Sequence, residues 1–202
     1  MKTVPSTGIV ILAAGSSSRL GEPKQLLQYR GKSLIRQVTE SALMAIGSPV
    51  VVVTGCYQKE ILEVLEPLPI FPIRNDAWQE GMASSIRTGL EELFRLFPSI
   101  QQVILAVSDQ PFVTAELLTA LITKAIENDN GIIASYYDDT AGTPVLFKKK
   151  YFASLMSLEG AQGAKKILKQ FKNDITYLSF PAGGTDIDTQ VDYQNLINGI
   201  PQ

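Results

Sequence analysis

The apolar positions of this chain follow two alternating rhythms. Ile9 to Ala13 is a short continuous apolar run rich in β-branched residues, the pattern of a strand buried on both faces. Val50 to Thr54, stopped at Gly55, and Gln102 to Val107 repeat it. Ile70 to Ile73 is a weaker run with prolines beside it, which suits a sheet edge because proline offers no ladder N–H. Ile132 to Tyr136, Pro144 to Phe147 and Thr176 to Phe180 complete the predicted strands. Between them, helical periodicity runs through Leu34 to Ala45, Gln58 to Leu65, Met82 to Leu96, Ala115 to Asn128, Gly163 to Phe171 and Val191 to Asn198. Pro67 and Pro98 close two of these helices. Thr114 is placed to cap a third, because its hydroxyl accepts an amide hydrogen that the first turn leaves free.

Strand and helix alternate almost throughout. That order predicts an α/β fold: a three-layer αβα sandwich around a mostly parallel, Rossmann-like sheet. No repeat or low-complexity linker interrupts it, so residues 1–202 read as a single domain. Ligands of such sheets bind beyond the carboxyl ends of the strands. The loops after the first and third strong strands, Gly15 to Gly21 and Ser108 to Pro111, are therefore the places to look for chemistry.

Composition then removes whole classes of chemistry. The chain has no histidine, so Ser-His-Asp and Cys-His hydrolases, histidine zinc sites and histidine general bases are excluded. A single cysteine, Cys56, makes no internal disulfide, and a reducing cytoplasm is the expected compartment. No apolar run is long enough to span a bilayer, and Met1 to Gly8 lacks the order of a secretion signal. A formal net charge of −2 gives no global basic field for nucleic acid. With 45% apolar and 19% charged residues the chain is otherwise an ordinary globular one.

The loop Leu12-Ala13-Ala14-Gly15-Ser16-Ser17-Ser18-Arg19-Leu20-Gly21-Glu22-Pro23-Lys24 runs straight out of the first strand. Its small residues let the backbone approach a ligand and turn amide hydrogens toward it. Arg19 and Lys24 add the cations that a triphosphate attracts. It is neither a Walker loop nor a dinucleotide fingerprint, because Gly-Lys-Ser/Thr and Gly-x-Gly-x-x-Gly are both absent. On composition alone a flexible Ser/Gly connector fits equally well. Asp109 follows the third strand, and a carboxylate there suits a divalent ion held against phosphates. Taken in isolation, an Asp capping the turn before Pro111 is the simpler reading.

These two segments together are more specific than either alone. The loop resembles the opening signature of the nucleotidyltransferases of molybdenum-cofactor type, Leu-Ala-Ala/Gly-Gly-x-Ser-x-Arg-x-Gly-x-x-Lys, with every fixed position filled. The family is related to the molybdopterin-guanine dinucleotide synthases and has the fold of nucleotide-diphospho-sugar transferases. The resemblance implies nucleotide contacts along Leu12, Ala13, Ala14, Gly15, Ser16, Ser18, Arg19 and Lys24, with Ala13 and Ala14 under the base. The Ala-Ala pair and Lys24-Gln25-Leu26-Leu27 are similar to the cytidylyltransferase branch, which implies CTP. Ser108-Asp109-Gln110-Pro111 resembles the family's metal-binding motif. Asp186-Ile187-Asp188-Thr189-Gln190-Val191-Asp192 resembles its C-terminal one, implying that Asp188 joins Asp109 on Mg²⁺. Asp186 is the weaker candidate. Thr189 and Asp192 read as the cap and first-turn acid of the last helix.

Asn75, Gly81, Met82 and Ser84 fall in a stretch similar to the family's Asn-x-x-Trp-x-x-Gly-Met-x-x-Ser, implying that they shape the nucleotide and acceptor sites. Trp78 reads as a packing residue. Gly142 to Phe147 resembles the strand that runs under the acceptor. The segment Gly160 to Lys165 departs from the family, with Ala161 for an Asp and Lys165 for an Arg. Lys148-Lys149-Lys150 is most simply a solvated turn, with contact to an anionic acceptor as the alternative. The resemblance implies transfer of CMP from CTP to the molybdopterin form of the molybdenum cofactor, with Arg19, Lys24 and Asp109 catalytic and pyrophosphate released. A molybdoenzyme or its chaperone is the protein partner it implies. The same fold acting on a sugar or polyol phosphate, or on GTP, is one alternative, and a non-catalytic cofactor-binding module is another.

Overall fold

A computed structural model of the chain describes residues 6–17, 20–45, 47–185, 187 and 189–199. In chain order the regular elements are β1 (Thr7–Ala13), β2 (Gln28–Tyr29), β3 (Lys32–Ser33), α1 (Leu34–Met44), β4 (Val50–Thr54), α2 (Gln58–Leu65), β5 (Phe71–Arg74) and α3 (Met82–Leu96). They continue through β6 (Gln102–Val107), α4 (Ala115–Glu127), β7 (Ile132–Tyr137), β8 (Thr140–Lys148), α5 (Phe152–Met156), α6 (Ala164–Gln170), β9 (Ile175–Ser179) and α7 (Gln190–Asn198). Seven strands form one sheet in the order β5-β4-β1-β6-β8-β7-β9. Only β8 runs antiparallel to its neighbours, so the sheet is mostly parallel as the alternation predicts.

The burial pattern explains the apolar runs. All five residues of β4 and nearly all of β1 are buried, because helices cover both faces of the sheet. Alternate residues serve opposite faces. Ile9, Ile11, Val50, Val52, Ile104 and Leu146 pack with α1, α2 and α4. Val10, Val51, Val53, Leu105, Val145 and Phe147 pack with α3, α5 and α6. Each fully buried Val or Ile side chain contributes about 1.5–3 kcal/mol. Gly89 lets α3 lie directly on the sheet, since a Cβ there would come within 2.5 Å of Val10 Cγ1 and 2.7 Å of Val53 Cγ2. That contact sets the start of α3 beside the carboxyl end of β1.

β5, with its proline, is an edge strand, as β9 is at the other side. The β2–β3 hairpin is an addition to the expected elements, and the expected strands β7 and β8 are joined as a second hairpin. β2–β3 turns at Arg30-Gly31 and β7–β8 at Asp138-Asp139, and all four turn residues have positive φ, from 47° to 80°. That is the geometry of a two-residue hairpin turn whose twist matches its strands. Thr114 caps α4, and its hydroxyl accepts from Leu117 N–H at 3.3 Å. Thr189 and Asp192 form a reciprocal capping box at the start of α7. Among the described residues no helix is long and apolar enough to cross a membrane.

Candidate active site

The loops after β1 and β6 meet because their strands are neighbours, with Leu12 paired to Val107 and the Ser108 N–H donating to Leu12 O at 3.2 Å. Between these loops and the start of α3 lies a cleft of about 330 Å³. Leu12, Ala14, Gly15, Ser16, Lys24, Gly81, Met82 and Asp109, all expected at a nucleotide site, line it. So do Gln25, Trp78, Gln79, Ser85, Val107 and Ser108. Lys24 Nζ and Asp109 Oδ2 form an ion pair there, with side chains 21% and 14% exposed. A cation and a carboxylate thus share one end of a cleft whose walls include Leu12, Ala14, Trp78, Met82 and Val107.

The Gly/Ser loop is held in shape by Gln25, which in the sequence stands only as part of the matched Lys24-Gln25-Leu26-Leu27 string. Gln25 is 1% exposed, and its Nε2 donates to Gly15 O at 2.8 Å and to Ala13 O at 3.3 Å. Ser17 Oγ donates to Gln25 Oε1 at 3.3 Å and accepts from Lys24 N–H at 3.0 Å. These bonds hold Ser17 at φ 53°, a conformation rare outside glycine. Tyr57 OH donates to Ser16 O at 3.2 Å from the end of β4. Gly15 has room for a Cβ, whose nearest neighbour would be 4.0 Å away, and its backbone φ is ordinary. Among the described residues nothing therefore demands glycine at this exposed position on the cleft.

The Asp109 loop is anchored just as deeply. Gln110 is 2% exposed and its Nε2 donates to Gly183 O at 2.9 Å, while its Oε1 is buried without a partner among the described residues. This ties the loop to the segment leading into the C-terminal acidic motif. Ile187 is fully buried among Leu20, Leu27, Leu34 and Leu196. Gln190 Nε2 donates to Glu22 Oε1 at 2.9 Å, and Tyr193 OH donates to Gln28 O at 2.9 Å. The C-terminal motif therefore packs on the residues that follow the Gly/Ser loop. Ser18, Arg19, Asp186 and Asp188 lie outside the described residues. Among the described residues no group of three or more acidic or cysteine side chains is gathered as a metal cluster. Asp109 is the carboxylate in the cleft, and Mg²⁺ requires one or two.

Other expected residues stand elsewhere. Ala13 faces the α1 and α2 side of the sheet, away from the cleft. Asn75 and Ser84 are buried behind the cleft wall and bonded to one another at 2.8 Å. Trp78 packs against the core while also lining the cleft. Gly81, at φ 111°, touches the segment that departs from the family: a Cβ on it would lie 2.5 Å from Gly160 O. The Ala83 N–H donates to that same oxygen at 3.1 Å, and Arg87 holds Leu158 O. Lys165 points into a different cavity, of about 490 Å³, with Tyr136, Tyr177, Lys169 and Lys172. Lys148 and Lys150 sit at the opposite end of the sheet, where they bind Asn128 O at 2.6 Å and Asp174 at 2.7 Å. The acceptor contact considered for that lysine run is thereby corrected, since an end of the sheet separates it from the cleft.

A mostly parallel αβα sandwich carrying a Gly/Ser loop over its first strand is the architecture of the nucleotide-diphospho-sugar transferase type of nucleotidyltransferase. The MobA-like NTP transferase domain matches residues 9–175, and the chain belongs to that family. It is a nucleotidyltransferase of this MobA-like kind. Rv0371c of Mycobacterium tuberculosis H37Rv is similar, with a TM-score of 0.83 and 27% identity over 97% of this chain and 100% of that one. A structure of Rv0371c in complex with manganese superposes with a TM-score of 0.78 at 25% identity, covering 96% of this chain and 98% of that one. Nicotine blue oxidoreductase of Paenarthrobacter nicotinovorans is 26% identical over 92% of this chain and 94% of its own length. Molybdopterin-guanine dinucleotide biosynthesis protein A of Archaeoglobus fulgidus shares the fold, with a TM-score of 0.69 at 17% identity over 95% of this chain and 97% of that one.

Proposed function

We propose that the chain transfers CMP from CTP to the phosphate of molybdopterin, with Mg²⁺ and release of pyrophosphate. The observation that carries this reading is the Lys24–Asp109 pair in a cleft that also exposes the Gly15 and Ser16 backbone. One end of the cleft suits a metal-bound triphosphate, and its apolar walls suit a base. Ala14 on the cleft wall, within an Ala-Ala pair similar to the cytidylyltransferase branch, supports CTP, and the manganese complex of a relative supports a divalent ion. The single domain of residues 1–202 and a cytoplasmic location belong to the same proposal.

An acceptor phosphate oxygen attacks the α-phosphorus of CTP in line. The new P–O bond forms as the bond to the β-phosphate oxygen breaks, and pyrophosphate leaves with that electron pair. The acceptor is already anionic, so no protein nucleophile or general base is required. Gly15, Ser16 and Lys24, with Arg19, bind the triphosphate and steady the charge on the leaving group. Asp109, joined by Asp188, would hold the cation. That ion supplies charge neutralisation across the phosphates.

Pyrophosphate release tests the reading, with CTP, GTP, UTP and ATP each offered with molybdopterin and with sugar phosphates. CTP with molybdopterin is the expected productive pair. Release with another pair would reassign the substrates. No release with any pair, despite triphosphate binding, would favour a binding module or another chemistry, such as that named for the oxidoreductase relative.

A further inference from the structure

The cavity of about 490 Å³ beside α6 shares no lining residue with the cleft. One side of it is aromatic. Tyr136 of β7 and Tyr177 of β9 meet edge to face, with ring centroids 5.2 Å apart, and stand 38% and 50% exposed. Each follows by one alternation a residue that packs with α6, Ala134 and Ile175, so both rings stand on that face of the sheet. β9 is the last strand there, and the cavity opens past it. Ala141, Leu168 and Ile175 make an apolar floor. The other side is cationic. Lys165 and Lys169 lie one turn apart on α6 and Lys172 follows its end, and all three are exposed and line the cavity. None of the three is in an ion pair with a described acid. Asp139 is the acid among the lining residues, and Tyr136 OH donates to it at 3.5 Å. Three cations against one carboxylate leave an excess of two positive charges, in a chain whose formal net charge is −2.

Neither side of this cavity helps the fold. Like charges one helical turn apart repel, and half-exposed rings keep apolar area in water. Together they match one kind of compound. An aromatic face attracts a flat ring, and lysines free of acids attract negative charge. The volume falls in the usual range of small-molecule sites, about 300–1,000 Å³. We propose that the cavity is a second ligand site, which takes a flat aromatic compound bearing two or more negative charges. Its ring lies against Tyr136 and Tyr177, and its anionic groups reach Lys165, Lys169 and Lys172. Aromatic phosphates, sulfates and carboxylates share that chemistry. Tyr136, Lys169, Lys172 and Tyr177 fall in none of the segments that resemble nucleotidyltransferase motifs. The site is additional to the nucleotidyl-transfer cleft and does not depend on which triphosphate or acceptor that cleft takes.

Two probes separate the ring from the charge. Naphthalene-1,3,6-trisulfonate carries a flat ring system with three negative charges, and propane-1,2,3-tricarboxylate carries three charges without a ring. Each is titrated calorimetrically into the full chain at low salt. The trisulfonate should bind one-to-one, and the tricarboxylate at least about tenfold more weakly, because it forgoes stacking on the tyrosines. Tyr177→Ser should weaken the trisulfonate by about tenfold. Lys169→Glu should weaken both probes by about tenfold, since it replaces an attraction with a repulsion. Lys24→Ala, which alters the cleft alone, should leave the trisulfonate within about twofold. Circular dichroism checks that the variants fold, and should Tyr177→Ser fail to do so, Lys169→Glu and the ratio of the two probes decide. Equal affinity for the two probes would overturn the proposal, because the rings would then take no part. A loss in Lys24→Ala as large as that in Lys169→Glu would overturn it by placing the compound in the cleft. So would the absence of trisulfonate binding to wild type.

Discussion

Lys24 and Asp109 are both partly exposed, and an ion pair of that kind contributes at most about 1 kcal/mol to stability. Their value therefore lies in what each does when the other lets go. Lys24→Ala should lower kcat/KM for nucleotidyl transfer by about 10²- to 10³-fold, the usual effect of removing one electrostatic stabiliser. Its melting temperature should move by less than about 4 °C. Wild-type turnover would remove Lys24 from the mechanism. Asp109→Asn keeps the shape but gives up the charge, so activity and divalent-metal dependence should disappear together. A metal titration unchanged from wild type would place the ion elsewhere. Gly15 separates ligand from fold more cleanly. Among the described residues a methyl group there would come no nearer than 4.0 Å to any neighbour. Gly15→Ala should melt like wild type yet bind triphosphate at least about tenfold more weakly, because the methyl group occupies the path of the phosphates. Unchanged affinity would mean that the phosphates do not pass Gly15.

The loop from Gly15 to Lys24 works as one element because Gln25 reaches back under it. Losing its hydrogen bonds strands the buried Ala13 carbonyl, at about 1–3 kcal/mol, and frees the more exposed Gly15 carbonyl. Gln25→Ala should therefore raise the KM for nucleotide several-fold through a looser loop, while kcat at saturation changes less. Equal damage to both would mean that Gln25 acts on the chemical step. This role could not be read from the sequence, where Gln25 is one more polar residue after a matched lysine. Period and caps did mark the long elements: α2, β4 and β6 begin and end where the apolar pattern does. The hairpins were hidden because their turns use Arg-Gly and Asp-Asp, held at positive φ by tertiary context. In the site, the small-residue loop and the Asp109 turn were legible because strand ends locate them. Asn75 matched a family pattern without being on the cleft, and Ser84, one residue before that pattern's serine, is buried behind the wall. Ser85 lines the cleft and is where the pattern's serine falls, with two residues between it and Met82, although Ser84 was the residue named.

At the scale of the whole molecule, one end of the sheet carries the chemistry and the other is fastened. Fastening at the far end rests on Asp174, which meets Tyr151 OH at 2.5 Å and Lys150 Nζ at 2.7 Å just before β9 begins. Gly131 belongs to the same knot, since a Cβ on it would lie 2.5 Å from the Tyr151 ring and 2.7 Å from Asp174 Oδ2. Burial pushes the Asp174 carboxyl up, but hydrogen bonds from Lys150, Tyr151 and the Gly131 backbone outweigh it and hold the group below its ordinary value. Burial first, then the hydrogen bond to Asp174 and its charge, raise the Tyr151 phenol to about 12. Below pH 10 the tyrosine keeps its proton whether the chain is folded or not, and the tie contributes in full. Between pH 10 and about 12 the unfolded chain gives up that proton while the folded chain retains it, so the contribution drains away as pH rises. Thermal melting of wild type against Tyr151→Phe should show the largest difference at neutral pH, shrinking steadily from pH 10 and vanishing near pH 12. Ionisations common to both proteins cancel in the comparison. A difference that stays constant to pH 12 would mean that the phenol contributes packing alone, and that the Asp174 knot is held by Lys150.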